Sequence, residues 1–294
     1  MFDSWTRSWR LAKQSWHVLK QDKELAIFPV ISFIFGVVLA GILASVGIAF
    51  GVFDEGESFT ITDVILILFF YLGTYFLTIY CQVALVAGVK QRLGGGDPTI
   101  RSSLREANKR LGPIVTWTII AAVVGMIIQG LQMAARRNSD GVARIISQII
   151  ISLVSVAWTL MTFFVIPVIA YEGVGGFEAV KRSFNVVKNR WGEAAVGNAG
   201  MGLISMVIIL VLGVVFGVSG IALITSGATA AIVFGAILLA IGIGGILLTI
   251  AFFSALSSVY RAVLYEYAKT GKVGVQGFSP DYLENAFRPA PRNG

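Results

Sequence analysis

Along most of this chain the apolar positions do not alternate with polar ones; they run on. Six stretches are apolar for about 20 residues or more, the length a helix needs to cross the hydrocarbon core of a bilayer. They are roughly 26–53, 64–89, 113–135, 142–171, 194–225 and 228–268. Several exceed that length, so tilting or protrusion is expected. The last is interrupted by Gly242, Gly244 and Gly245, and its polar end is expected to project into water. Backbone groups in lipid must be satisfied within the segment, and runs of this length therefore read as helices. The predicted fold is an all-α, multi-pass membrane protein with six transmembrane helices.

Between these runs lies a second pattern. Gly95-Gly96 recurs as Gly175-Gly176, Ser103 as Ser183, Arg110 as Arg190 and Gly112 as Gly192, always 80 residues on. In the first of these segments Ile100, Leu104, Ala107 and Leu111 follow i, i+4, i+7, i+11; in the second, Val180, Phe184, Val187 and Trp191 do the same. That spacing keeps them on one face of a helix of 3.6 residues per turn. Arg101, Arg105 and Lys109 stand opposite in one segment, Lys181, Asn185 and Lys188 in the other. A looser copy opens the chain, with Ser8, Trp9, Ala12 and Trp16 aligned to Ser103, Leu104, Ala107 and Leu111, and with Trp5, Trp9, Ala12, Trp16 and Leu19 on one face. Asp97-Pro98-Thr99 reads as a helix start, and the Gly94–Gly96 and Gly173–Gly176 clusters as stops of the spans before them. The reading is a single membrane domain over 1–294. It has three units of amphipathic helix plus hairpin, at about 1–93, 94–172 and 173–270, and a tail at 271–294. All three hairpins enter from one side, so the repeats are parallel.

Charge sets the orientation. Twenty of the 23 Lys and Arg residues fall on the side of the two termini, in the N-terminal segment, the second-to-third and fourth-to-fifth loops and the stretch from Arg261 on. Arg136, Arg137 and Arg144 alone fall opposite, where the first loop is acidic (Asp54, Glu55, Glu57, Asp63). By the positive-inside rule both termini are expected in the cytoplasm and the protein in the cytoplasmic membrane. The first 25 residues are charged and Trp-rich, so the first apolar run is expected to act as an uncleaved anchor.

Composition narrows the chemistry. Mean hydropathy is +0.81, and 13% of residues are charged, against about 25% in soluble domains. A net charge of +7, spread in short blocks between apolar runs, points to anionic phospholipid headgroups rather than nucleic acid. One cysteine, Cys81, and one histidine, His17, exclude an intrachain disulfide and a His- or Cys-rich metal site. Gly94-Gly95-Gly96 lacks the Gly-Lys-Ser/Thr of a phosphate loop. No catalytic, cofactor or metal residues are expected.

Two sets of residues are candidates for function. Trp5, Trp9, Trp16, Arg101, Arg105, Lys109, Lys181, Lys188 and Trp191 make a basic, Trp-bearing collar suited to the lipid interface or to a partner; the same residues also suit simple bracing of the bundle. Tyr71, Tyr75, Thr78 and Gln82 follow i, i+4, i+7, i+11 on the second run, with Thr74 beside them. Polar groups at membrane depth need partners, so this stripe faces either another helix or a cavity. No acidic or basic residue falls mid-span, and Arg261 and Glu266 lie near the end of the sixth run, where snorkelling or a surface pair is expected. Pro167 is expected to kink the fourth run or mark its exit. Gly213 and Gly217 form a GxxxG pair, for packing within the hairpin or for a homo-oligomer seam.

The stretch Ile166-Pro167-Val168-Ile169-Ala170-Tyr171-Glu172-Gly173, followed by Glu178-Ala179-Val180-Lys181-Arg182-Ser183-Phe184, resembles the signature of YciC-like six-helix membrane proteins. It is similar too to the membrane domain fused to some glycerophosphodiester phosphodiesterases. The region of Ser8–Trp16 and Lys20–Pro29 resembles the start of a related uncharacterised bacterial and archaeal family. The resemblance implies a six-helix integral membrane protein without the soluble phosphodiesterase. The expected role is non-enzymatic: scaffolding, membrane organisation or lipid handling, with lipid, a second copy or another membrane protein as partner. The alternative is a channel or facilitator for a small or lipidic solute.

Overall fold

A computed structural model describes Ser15, Trp16, Leu19 and Lys20 and residues 23–49, 60–137, 141–189 and 194–270. After a short 3-10 turn at Lys23–Ala26 come helices α1 (Ile27–Ala49), α2 (Ile61–Leu93), α3 (Ile100–Asn108), α4 (Leu111–Arg137), α5 (Gly141–Met161), α6 (Val165–Glu172), α7 (Gly176–Asn189) and α8 (Ala194–Leu212). A π-helical segment at Gly213–Val218 leads into α9 (Ser219–Thr225), and α10 (Thr229–Thr270) closes the described chain. Among the described residues six helical stretches are long and apolar enough to cross a membrane: Ile27–Ile48, Ile61–Leu93, Leu111–Arg136, Gly141–Glu172, Met201–Thr225 and Thr229–Thr270.

Two surfaces divide these helices along their length. Large apolar side chains stand exposed on α1 from Ile27 to Ile48, on α2 from Ile61 to Phe69, on α5 from Val142 to Val156 and on α10 from Ile232 to Ile250. Water does not tolerate a patch of that extent, and lipid does. At the other end the bundle has a packed core, built from Ile79–Val89 of α2, Phe163–Tyr171 around α6 and Ala255–Tyr265 of α10. Helix α2 is the hub: it packs on α1, α3, α4, α6 and α10.

The caps follow from short polar side chains and glycine. Thr60 and Asp63 form a reciprocal capping box at the start of α2, so Asp63 belongs to the first helical turn rather than to the acidic loop. Thr99 and Ser102 form another at the start of α3. Gly95 (φ 81°) and Gly173 (φ 67°) take the left-handed conformation that lets α2 and α6 stop. The chain then doubles back: α3 runs down the last turns of α2, and α7 returns along α6 and across α4.

The faces of α3 and α7 agree with the periodic reading at Ala107 and Val187 and differ from it elsewhere. Their buried seams are lines of small residues, Ser103 and Ala107 on α3 and Ala179, Ser183 and Val187 on α7. Leu104 is half-buried, while Leu111 and Phe184 are exposed. Small side chains let these helices stand close against their neighbours, where a Cβ on Gly88 would meet Ser103 Oγ at 2.6 Å. The bulky residues are displaced to the shoulder between core and surface. Ser15 is fully buried and Trp16 exposed at the N-terminal end, as Ser183 and Phe184 are in α7; Ser8, Trp9 and Ala12 lie outside the described residues.

The fourth span breaks at Thr162–Phe164, one turn before Pro167. Proline has no N–H and its ring crowds the carbonyl four residues back, here that of Phe163, so the break falls where that clash would arise. Pro167 then sits in the first turn of α6, where a missing donor costs nothing.

In the third hairpin, Gly220 and Gly235 are in close contact: a Cβ on Gly235 would meet the Gly220 carbonyl oxygen at 2.6 Å. Gly213 and Gly217 face open space instead, with nothing within 4 Å of an added Cβ. The GxxxG pair therefore does not pack the hairpin.

Candidate functional site: an intramembrane cavity with one polar end

Helices α1, α2 and α10 meet around a cavity of about 410 Å³. Short side chains make the room: Gly36 and Ala40 on α1, Thr74 and Cys81 on α2, Ala251 and Ser254 on α10 all line it. A Cβ on Gly36 would have nothing within 4 Å. From Pro29 to Ala40 the wall on α1 extends about 16 Å at 1.5 Å per residue, so the space is elongated along the helices. Its volume falls in the usual range of ligand pockets, about 300–1,000 Å³.

The two ends of the cavity differ. Toward the middle of the spans it is lined by Val37, Ala40, Phe70 and Leu247. At the end where α1 begins and α2 and α10 finish, its wall carries Ser32, Thr78, Gln82, Ser254 and Ser258. The hydroxyls of Thr74, Thr78 and Ser258 donate to carbonyl oxygens one turn back, at Phe70 (2.7 Å), Thr74 (2.8 Å) and Ser254 (2.9 Å). Ser32 Oγ donates to Thr78 Oγ1 at 3.4 Å. Gln82 is half-buried and has no hydrogen-bond partner among the described residues.

The polar stripe of the second span is thus divided. Thr78 and Gln82 face the cavity. Tyr71 and Tyr75 pair with each other, ring centroids 4.8 Å apart, and turn to α4, where a Cβ on Gly125 would meet the Tyr71 hydroxyl at 2.9 Å and that of Tyr75 at 3.4 Å. Sequence periodicity put all four on one face; two neighbouring helices share that face.

A second polar cluster lies beyond the cavity, at the end of the packed core. The Glu172 carboxylate, at the C-terminus of α6, accepts hydrogen bonds from Tyr265 Oη (2.7 Å), Lys269 Nζ (3.2 Å) and Arg182. Arg182 Nε also donates to Glu178 Oε1 at 2.8 Å, and that bond holds the Glu178 carboxyl below its usual range. Lys90 Nζ donates to the Tyr171 carbonyl oxygen at 3.2 Å and sits 5.0 Å from the centre of its ring. Glu172 thereby ties the fourth span, α7 and the sixth span together. Its only signal in the sequence was its place in the motif around Pro167.

Of the collar residues, Arg101, Arg105, Lys181 and Lys188 are exposed. Lys109 is paired to Glu106 at 2.5 Å, and the pairing lowers the Glu106 carboxyl. Arg101 and Arg105 flank a shallow groove on α3 with Ile100, Leu104 and Asn108. Trp16 is 42% exposed and packs edge-on against Phe252 at 5.1 Å. Trp5, Trp9 and Trp191 lie outside the described residues. Cys81 is buried. Among the described residues no group of three His, Cys, Asp or Glu could hold a metal ion.

Residues 60–276 match a family of unknown function, DUF6159. No curated protein matches the chain at a significant level.

Proposed function

The chain belongs to DUF6159, a family of unknown function, and we propose that it is a lipid-handling membrane protein whose cavity between α1, α2 and α10 takes the chain of an amphiphile. The observation that carries this reading is the polarity gradient of the cavity. Its deep part is apolar apart from Thr74, whose hydroxyl bonds back to Phe70, and its other hydroxyl and amide groups gather at one end beside Pro29 and Leu85. A purely polar solute would find most of the wall unable to hydrogen-bond; a purely apolar one would leave Gln82 unanswered. An amphiphile matches both ends in one orientation.

The collar supports the same reading. With both termini in the cytoplasm, as the distribution of Lys and Arg favours, the polar end of the cavity lies on the cytoplasmic side. Exposed Arg101 and Arg105 on α3 and Lys181 and Lys188 on α7 then face anionic headgroups of that leaflet. A reporter fused after the last residue and active on one side of the membrane only tests the orientation. The N-terminal copy of the repeat aligns better through Ser15 than through Ser8: Ser15-Trp16-His17-Val18-Leu19-Lys20 parallels Ser183-Phe184-Asn185-Val186-Val187-Lys188, and the buried positions agree. Three such units would place three basic helices around one bundle end.

Cys81, the only cysteine, lines the cavity and makes the test simple. In the purified protein, a slender maleimide labels Cys81, and a saturating single-chain amphiphile slows that labelling. Labelling at the same rate with and without amphiphile would count against the proposal.

A further inference from the structure

Arg261 of α10 is a half-buried cation with no acid beside it among the described residues. It lies one turn beyond Ser258 and continues the helix face of Leu247, Ala251, Ser254 and Ser258. Its Nε donates to the Ser257 carbonyl oxygen at 3.3 Å. That bond draws the guanidinium back along the helix toward the turn of Ser257, the direction in which helical side chains lean. Its Cζ lies 6.0 Å from the centre of the Phe163 ring, at the break in the fourth span.

Among the described residues no carboxylate stands within ion-pair distance of Arg261. Arg182 and Lys269 pair with Glu172, Lys109 with Glu106 and Arg92 with Asp97, while Lys90 rests on the Tyr171 carbonyl and Arg110, its buried Nε unpartnered, packs at Gly173. Arg261 is half-buried, in the part of α10 where Val259, Tyr260, Ala262, Val263 and Leu264 are within 1% of full burial. A guanidinium drawn partly out of water without a counter-ion is costly, and a bound anion offsets that cost. Gln82, also without a partner among the described residues, lines the cavity with Ser258, one helical turn before Arg261.

We propose that the ligand of the cavity is acidic: an alkyl chain ending in an oxyanion, either carboxylate or phosphate. The chain lies along Val37, Phe70 and Leu247, and the head is held by the Gln82 carboxamide and the Arg261 guanidinium. This rests on the cavity reading and adds the charge of the ligand to it. Guanidinium provides paired donors matched to either oxyanion, and the phenylalanine beside it adds no competing acid.

The test titrates the full-length protein in detergent with hexadecanoate, hexadecyl phosphate and hexadecanol, and reads protection of Cys81 from a maleimide. In the wild type at least one acid protects at lower concentration than the alcohol. Arg261→Gln raises the concentration needed of that acid about ten- to a hundred-fold and leaves the alcohol unchanged; Arg261→Lys restores part of the difference. Which acid shows the effect separates a fatty acid from a phosphate-headed lipid. Equal protection by acid and alcohol with no effect of Arg261→Gln overturns the acidic ligand while keeping the cavity reading. So does a shift of all three probes together. Protection by none of them removes the cavity reading and this inference with it.

Discussion

The backbone N–H of Phe164 donates to the side-chain oxygen of Ser183, 3.0 Å away. This one bond explains how the fourth span can break inside the bundle. Pro167 interrupts the helical ladder, an amide is released in a buried place, and a serine from the returning helix α7 accepts it. The serine recurs as Ser103 in α3, yet there its hydroxyl is buried without a partner. The recurring position is used for its small size in both helices and for its oxygen in one.

The two serines therefore respond differently to removal of the hydroxyl. Ser183→Ala leaves the buried Phe164 amide unsatisfied and lowers stability by about 1–3 kcal/mol. Ser103→Ala removes a hydroxyl that bonds nothing and is neutral or stabilising. Thermal unfolding of the two variants in the same detergent measures the difference; equal midpoints would contradict this role for Ser183.

Gly176 is held to glycine by backbone rather than by flexible side chains. Its N–H donates to Thr116 Oγ1 at 2.9 Å, and a Cβ there would stand 2.8 Å from the backbone nitrogen of Trp117. Gly176→Ala forces α7 away from α4 and costs about 1–3 kcal/mol, as overpacking does. Gly112, the glycine shared by the other end of the repeat, has nothing within 4 Å of an added Cβ, and Gly112→Ala is tolerated. The same unfolding assay separates them.

Arg101 and Arg105 are exposed on α3, whereas Lys109 is tied to Glu106. The double reversal Arg101→Glu, Arg105→Glu is expected to weaken retention of anionic lipid, by about 1 kcal/mol for each charge near the surface. The same change at Lys109 does less. Counting co-purified anionic lipid per protein at low and high salt checks this, and retention unaffected by the reversal would leave the collar a bracing device only.

The spans were legible because lipid imposes a simple demand: a long run of apolar residues and no unpaired backbone. The predicted end of the second span at 89 and the observed end at Leu93 differ because Lys90 and Arg92 continue the helix into the polar region. The turns were legible too, since Gly95 and Gly173 carry the positive φ that stops a helix. Periodicity failed where packing is by small residues. Hydrophobic spacing grouped Leu104 and Phe184 with Ala107 and Val187; the last two are buried, and with them Ser103, Ala179 and Ser183, which hydrophobic spacing passed over. It failed again at the stripe of Tyr71, Tyr75, Thr78 and Gln82, because one helix face meets α4 at one height and a cavity at another. Arg261 was read as a snorkelling residue near a span end; only its surroundings in three dimensions reveal a cation without an acid.

The most direct measurement of the central claim is native mass spectrometry of the protein released gently from its membrane, wild type beside Gly36→Leu. Gly36 lines the cavity and a Cβ there has nothing within 4 Å, so a leucine side chain starts into the open space of the cavity. The account predicts a bound amphiphile on the wild type and its loss in Gly36→Leu, with the thermal stability of the chain preserved. A wild type carrying no such adduct, or an adduct equally abundant in the filled variant, would contradict it.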